Sequence, residues 1–422
     1  MKHIIPLLCI SFIPAFGQMG DTLTLFECHE KVIQADPQYR QLVLLETQNE
    51  LKTKNISINW LPSLDVNGSY TWQSEVVELG DAIPIPGIAV PEMPHYNYKL
   101  TLDVKQNIYD GGVTRSRKEL EKATFETSRQ QVEVELNMLK ERVNTVFFYL
   151  LVLQQQEWTV QIMLNELMEK RSVVESGVQN GVLMEPDLDV MDAEILKVEQ
   201  QLAEITISWK TAVAMLEKMI NEEIKLETVF EVHDPEFQLD TELQRPEYQL
   251  FDLQMMNLDA SKNLARTQRK PKMYVFGTFG MGNPALNFLK DELRGYYIVG
   301  AGLHWNIWDW SKTRREKEVL TIQQDMIQTE RESFDKNLQI MLDEQAAAIE
   351  KLEESISKDE QIVALREKIA ASSVSRLENG VITSADYITD LNAETISRIR
   401  LETHKIQLVQ SRVNYMTTKG EL

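Results

Sequence analysis

Residues 63–72 read Ser-Leu-Asp-Val-Asn-Gly-Ser-Tyr-Thr-Trp. Leu64, Val66, Gly68, Tyr70 and Trp72 alternate with Ser63, Asp65, Asn67, Ser69 and Thr71. Side chains of an extended chain point to opposite faces in turn, so this period of two makes one apolar and one polar face. Further on, Tyr96, Tyr98, Leu100, Leu102 and Val104 alternate in the same way with Asn97, Lys99, Thr101, Asp103 and Lys105. About ten residues of such alternation is the length and pattern of a strand with lipid on one side and water on the other. Two later stretches carry it more weakly. Val275, Gly277 and Phe279 keep an apolar face, while Tyr274 and Phe276 make the other face aromatic; Tyr297, Val299, Ala301, Leu303 and Trp305 stand opposite the small Gly300 and Gly302. Strands are expected at about 63–72, 96–106, 273–280 and 296–307. A soluble sheet with one face packed on helices is the other reading of the pattern. Four strands do not close around water, because the smallest membrane barrels have about eight. Strands of this kind in a membrane therefore require several chains to share one barrel, or their edges stay unsatisfied in lipid.

The rest of the chain narrows the class. It has 422 residues, 44 Lys plus Arg against 65 Asp plus Glu, and a formal net charge of -21. That balance argues against a nucleic-acid partner, since phosphate binding needs a basic face. The cysteines are Cys9 and Cys28 and the six histidines are scattered, so no zinc-ligand spacing is present. No P-loop, no G-x-S-x-G and no H-E-x-x-H occurs, and no clustered polar pocket of an enzyme is legible. Gly280-Met281-Gly282-Asn283-Pro284-Ala285 matches a dinucleotide fingerprint formally, but Pro284 and the polar residues beyond it do not open a helix, so a loop glycine cluster is expected there. No cofactor and no metal are expected.

The N-terminus has Lys2, an apolar run from Ile4 to Pro14, and Ala15-Phe16-Gly17 before Gln18. Residues 1–17 read as a secretory signal peptide, too short for a membrane span. No later stretch reaches 18 apolar residues, so any span must be a closed β-barrel.

The chain repeats itself. Asp36-Pro37-Gln38-Tyr39 corresponds to Arg245-Pro246-Glu247-Tyr248, 209 residues on, and Pro62 to Pro271 at the same offset. Asn107-Ile108-Tyr109-Asp110 corresponds to Asn306-Ile307-Trp308-Asp309, and Asn180-Gly181-Val182 to Asn379-Gly380-Val381, both 199 residues on. Two constant offsets imply a tandem duplication, 18–232 and 233–422, with a longer loop in the first copy bearing Pro84, Pro86, Pro91 and Pro94. Each copy predicts a helix, two strands and two very long helices, at 113–176 and 183–226 and again at 312–376 and 384–419. Apolar residues such as Val319, Ile322, Met326, Phe334, Leu338 and Leu342 recur at helical spacing, and no proline follows Lys312. A helix from Val113 to Ser176 is roughly 95 Å long at 1.5 Å per residue, which points to coiled-coil packing. The fold class is mainly α with a small membrane β component.

These features resemble the TolC-like outer-membrane efflux proteins. The resemblance rests on Leu23-Thr24-Leu25 followed by Asp36-Pro37, on Trp60-Leu61-Pro62 before the first strand, and on Asn107-Ile108-Tyr109-Asp110-Gly111-Gly112 after the second. It rests also on the tandem repeat and the Asn-Gly helix turns, and it covers nearly the whole chain after the leader. It implies a homotrimer with four strands per chain in a twelve-stranded barrel in the outer membrane, against lipid. It also implies long antiparallel helical hairpins forming an α-barrel across the periplasm, where a periplasmic adaptor and an inner-membrane pump deliver cargo.

The helix turns Asn180-Gly181 and Asn379-Gly380 supply the left-handed residue that ends one helix before the next begins. Acids follow: Asp187, Asp189 and Asp192, then Asp386 and Asp390. Acids in a first turn complement the helix dipole; three copies of them also make a cation-favouring ring. In the resembled family two inward aspartates narrow the entrance. Asp386 falls on the first, and the second falls on Thr389 with Asp390 beside it. Asp187 matches an aspartate that ties the closed state together, but its tyrosine and arginine partners would be Leu377 and Ile382 here, which implies a different closing network. Trp305, Trp308 and Trp310 at a strand end read as an interfacial girdle. The function expected is passive conduction of cargo through an outer-membrane channel. An exported helical scaffold or adaptor with a soluble sheet is the alternative.

Overall fold

The computed structural model describes residues 22–76, 93–225, 228–232, 243–288 and 290–422. The expected leader, and Pro84, Pro86 and Pro91 of the expected loop, lie outside them. In chain order the elements are β1 (Thr22–Thr24), α1 (Leu25–Ala35), α2 (Tyr39–Ser57), a 3-10 turn (Ile58–Trp60), β2 (Ser63–Trp72), β3 (Tyr96–Tyr109), α3 (Val113–Gln179) and α4 (Glu185–Ile220). Then follow β4 (Val229–Glu231), α5 (Pro246–Thr267), β5 (Lys272–Asn283), β6 (Arg294–His304), α6 (Lys312–Glu378) and α7 (Ser384–Lys419). No helix of the described residues is long and apolar enough to cross a membrane.

Two compact units form. One comprises Met1–Arg40, Glu133–Pro246 and Phe334–Leu422, the other Gln41–Val132 and Glu247–Ser333. The 67-residue helices α3 and α6 contribute to both; at 1.5 Å per residue each is about 100 Å long.

The second unit contains the four-stranded antiparallel sheet, in the order β2-β3-β5-β6. Its register keeps like with like. Leu64 pairs with Val104, Val66 with Leu102 and Tyr70 with Tyr98, while Asp65 pairs with Asp103, Asn67 with Thr101 and Ser69 with Lys99. A slip of one residue would put every apolar side chain among polar ones, so the alternation itself fixes the register. Across the next two ladders the apolar face continues through Leu102, Phe279 and Tyr297. The opposite face carries a polar knot, with Asp103 accepting from Asn67 Nδ2 and Thr101 Oγ1, each at 2.8 Å, and from Thr278 Oγ1. Beside the sheet, α3 is tied to α5 by Asn257 to Thr124 at 2.8 Å, and α6 to α5 by Arg331 to Asp252 at 3.1 Å.

Several element ends differ from the sequence expectation: β3 runs on to Tyr109 and α3 to Gln179. The strand β5 runs on to Asn283, so Gly280 and Gly282 lie inside it and not in a loop. A Cβ at Gly280 would sit 2.9 Å from Thr101 Cγ2, and one at Gly282 3.0 Å from Lys99 Cβ, so these glycines admit bulky cross-strand neighbours. The strand β6 stops at His304, and Trp305 beyond it donates its indole N–H to the Arg269 carbonyl at 3.0 Å instead of extending the ladder. Helix α4 ends at Ile220 because Asn221 adopts a left-handed conformation at φ 55°.

The first unit packs α3, α4, α6 and α7 about an apolar core that includes Val143, Phe147, Leu167, Met191, Leu216 and Leu391. The short parallel pair β1–β4 adds Phe230, whose ring meets Phe147 edge-on at 5.7 Å. Helix α1 starts on a capping box: Thr24 Oγ1 accepts from Glu27 N, and the Glu27 carboxylate accepts from Thr24 N at 2.8 Å. Beneath it lies a buried polar group that the sequence pattern did not disclose. His29 bonds Asn144 Oδ1 at 2.7 Å, and Asn144 Nδ2 donates to Asn414 Oδ1 at 3.2 Å and Thr417 Oγ1 at 3.1 Å. Burial holds the His29 imidazole below its ordinary pKa, so the network is assembled around a neutral ring.

Candidate functional site

The paired helix turns lie in the first unit, and their backbones repeat one another. Asn180 N donates to Ser176 O at 3.1 Å and its side-chain amide to the same carbonyl at 2.8 Å; Gly181 follows at φ 73°. Asn379 does the same to Ser375 O at 3.2 Å and 2.7 Å, with Gly380 at φ 65°. Asparagine is suited to this place because its side-chain amide gives a carbonyl of the ending helix a second donor beside the backbone N–H. A Cβ on Gly380 would meet Val182 Cγ1 at 3.6 Å, so the two turns stand side by side.

The candidate acids have distinct jobs. The Asp386 carboxylate accepts from Thr383 Oγ1 at 2.7 Å and Thr383 N at 3.1 Å, while its own N–H returns to Thr383 Oγ1 at 3.2 Å. This capping box starts α7, and the Thr383 bonds hold the Asp386 carboxyl below its usual pKa. Its side chain is exposed. Asp390 is half-buried and accepts from Ser373 Oγ on α6. Asp187 does two things at once: Oδ2 accepts from Met184 N at 3.2 Å and Oδ1 from Ser384 N at 3.2 Å. One carboxylate thus serves the starts of both α4 and α7. Asp192 is held below its usual pKa by the Arg171 guanidinium of α3, which also pairs with Glu175 at 3.1 Å. Asp189 is exposed.

Other links between the helices were not legible in sequence. Tyr387 of α7 is fully buried and donates its hydroxyl to Glu166 of α3 at 2.9 Å. Burial and the Glu166 charge raise its pKa, so the hydroxyl stays a donor. Lys170 of α3 pairs with Glu378, the last residue of α6, at 3.1 Å. Burial of Lys170 acts to lower its pKa, and the Glu378 bond and charge outweigh it. Asn392 of α7 donates to Glu194 of α4 at 3.0 Å. Leu377, at the position of the resembled family's tyrosine, is buried in the apolar core, and Ile382 is half-buried. The turns are thus joined by polar contacts at other positions. Tyr387, Ile388 and Leu391 share one buried face of α7, and nothing local in the sequence tells which carboxylate the hydroxyl finds. Among the described residues no group of three or more His, Cys, Asp or Glu is arranged to hold a metal.

Residues 56–222 match the family model for "Outer membrane efflux protein". Over that stretch, less than half of its length, the chain is similar to the outer membrane efflux proteins. Its fold is close to those of CusC (TM-score 0.72, 12% identity, covering 99% of this chain and 98% of that one) and of the CmeC outer membrane channel of Campylobacter jejuni (0.68, 14%, 100% and 94%). It is close also to the outer membrane protein VceC of Vibrio cholerae (0.69, 14%, 94% and 96%). At these identities the likeness is one of fold. No curated protein matches it in sequence.

Proposed function

We propose that this chain is an outer-membrane efflux protein, that three copies of it pool their strands into one twelve-stranded barrel, and that the assembly is a passive duct for cargo handed on by an inner-membrane transporter through a periplasmic adaptor. One observation carries the reading: the four-stranded sheet leaves most of its apolar face exposed while β2 and β6 remain its edges. Leu64, Val66, Tyr70, Trp72, Tyr297 and Val299 are each at least 67% exposed. Each such side chain forfeits about 2 kcal/mol in water, and open edges are costly in lipid. A shared barrel removes both penalties. A soluble scaffold keeps both.

In this reading the two helical hairpins of each chain descend from a tandem duplication and line the periplasmic entrance at their turns. Asp386 and Asp390, threefold repeated, give the entrance a cation-favouring field. The contacts of Asp187 with Ser384, Tyr387 with Glu166 and Lys170 with Glu378 hold the hairpins together, and an adaptor favours the open arrangement by binding it better. Each such bond is worth about 1 kcal/mol net, so removing one shifts the open-to-closed ratio about fivefold. No covalent chemistry is assigned to the chain, and the driving energy comes from the transporter.

The test is bilayer recording on detergent-purified protein of measured mass. A trimer with discrete conductance steps is expected; a monomer released without detergent sinks the reading and favours the scaffold. Asp386→Asn is expected to lower cation preference, and unchanged selectivity would remove Asp386 from the lining.

A further inference from the structure

The chain's net charge is -21, yet one corner of the sheet-bearing unit is strongly cationic. Arg266 in the last turn of α5, Arg269 just past it, and Arg314 and Lys317 in the first turns of α6 line a single cavity of about 420 Å³ with Thr313 and Glu318. Arg314 is paired with Glu318 at 2.9 Å. Arg266, Arg269 and Lys317 make no ion pair among the described residues; Arg266 donates to Asn263 Oδ1 at 3.2 Å and Arg269 to the Ile307 carbonyl at 3.4 Å. Three cations outside any ion pair are thus gathered, with Glu318 engaged by Arg314 and Asp309 acting on Arg269 only at longer range, in a molecule with a large excess of acids.

The same corner exposes indoles. Trp305, Trp308 and Trp310 lie open between β6 and α6, Trp310 at 77% exposure, with the Trp308 and Trp310 rings edge-on at 5.9 Å. They are braced to the cationic arms: Trp305 Nε1 donates to Arg269 O at 3.0 Å, and Arg315 Nη1 to Trp310 O at 2.9 Å. Trp310 and Ser311 hold left-handed backbones, φ 51° and 62°, at about 1–2 kcal/mol each for a non-glycine residue. Water would satisfy the cations and reject the indoles; an apolar core would do the reverse. The headgroup layer of a bilayer suits both, with indoles among the glycerol esters and cations on the phosphates.

We propose that Arg266, Arg269 and Lys317, with the adjoining indoles, form a binding site for the phosphate headgroup of an anionic phospholipid at the periplasmic surface of the outer membrane. This rests on the membrane reading above. The chemistry recognised is a phosphate monoanion, and its source is a lipid because the tryptophans flank the cavity.

The experiment uses the full chain, detergent-purified and reconstituted, with lipid retention read by native mass spectrometry. The probes are phosphatidylglycerol, phosphatidylcholine and, as free anions, inorganic phosphate and glycerol phosphate. The variant is Arg266→Gln/Arg269→Gln/Lys317→Gln. The control, Lys351→Gln/Lys358→Gln/Lys368→Gln, removes the same charge from exposed positions of α6. Each cation at an anionic surface is worth about fivefold, so the variant is expected to lose phosphatidylglycerol preference by roughly tenfold or more while the control keeps it. Equal loss or equal retention in both overturns the site. Competition by inorganic phosphate as strong as by the lipid overturns the lipid source. A variant that retains lipid but falls out of its oligomer shows that a second copy of the chain covers the corner, which also overturns the proposal. A wild type that fails to enter the bilayer defeats the membrane reading and the site together; one that inserts without preferring phosphatidylglycerol defeats the site alone.

Discussion

Two corners of the sheet-bearing unit solve one problem with different residues. At each, a strand hands over to a 67-residue helix through an aspartate and two left-handed residues: Asp110-Gly111-Gly112 between β3 and α3, and Asp309-Trp310-Ser311 between β6 and α6. Asp110 accepts from Gly112 N at 2.8 Å and Thr114 N at 2.7 Å, and Asp309 from Thr313 N at 3.0 Å, so each carboxylate caps its helix. The glycines, at φ 70° and 87°, adopt the conformation without strain; Trp310 and Ser311 do not. The difference follows from the surroundings. At the first corner a Cβ on Gly111 would lie 2.8 Å from Lys270 Cβ and 3.0 Å from the Pro271 carbonyl, so the chain passes too close for any side chain. At the second the space is open, and the strained positions carry groups turned outward. The turn geometry is common to both, and what packs against it selects the residue.

The largest effect expected is at the close approach. Gly111→Val forces a branched side chain against Lys270 and Pro271 and into a left-handed backbone. Overpacking costs about 1–3 kcal/mol and the backbone about 1–2, so a loss of about 3 kcal/mol or more is predicted in denaturant unfolding. An unchanged midpoint would mean that the two strand ends separate freely, and the account of this corner would fail.

Next come the caps. Asp110 is buried and also meets Asn59 Nδ2 at 3.3 Å, whereas Asp309 has no such enclosure. Asp110→Ala is expected to cost about 2–3 kcal/mol, as for buried charged hydrogen bonds, and Asp309→Ala clearly less. Burial acts to raise the Asp110 pKa, but the bonds from Thr114 and Gly112 outweigh it and the net shift is downward. A depressed folded-state pKa gives stability that is present above the unfolded value, about 3.9, and is lost as pH falls through the folded value. The stability gap between wild type and Asp110→Ala should therefore stay level from neutral pH to about 5 and close only below about 4. A gap that closes near pH 6 would contradict the assignment.

How much of this was legible depends on how far apart the deciding atoms lie in sequence. The alternation at 63–72 and 96–105 is a property of each segment alone, and the strands and their register follow from it. The long helices follow from absent prolines and a 3.6-residue period. The turns at Asn180-Gly181 and Asn379-Gly380 carry residues chosen for the backbone they adopt. Trp310 and Ser311 carry no such mark, since neither favours a left-handed backbone. The contacts between Tyr387 and Glu166, and between Lys170 and Glu378, join residues 221 and 208 positions apart. No local pattern encodes such a pairing. Asp187 lies between these cases: the acid was visible at a helix start, but its second bond, to Ser384 N, required both turns to be side by side.

The smallest effect tests whether the strain at the second corner is kept for its side chains. Ser311→Gly removes about 1–2 kcal/mol of backbone strain and adds about 0.5–1 kcal/mol of unfolded-state entropy, so a gain of about 0.5–1 kcal/mol in detergent is predicted. Trp310→Gly should gain as much on folding, since the exposed indole packs mainly against Trp308. In lipid the two should part. Ser311→Gly is expected to keep wild-type retention of phosphatidylglycerol, because serine brings neither charge nor apolar surface. Trp310→Gly removes an indole beside the cations and should lose lipid although its fold is no weaker. Thermal unfolding in detergent, set beside lipid retention in the bilayer, separates the two effects. If Trp310→Gly proves less stable in detergent as well, the indole is a packing residue and its strained backbone serves the fold alone.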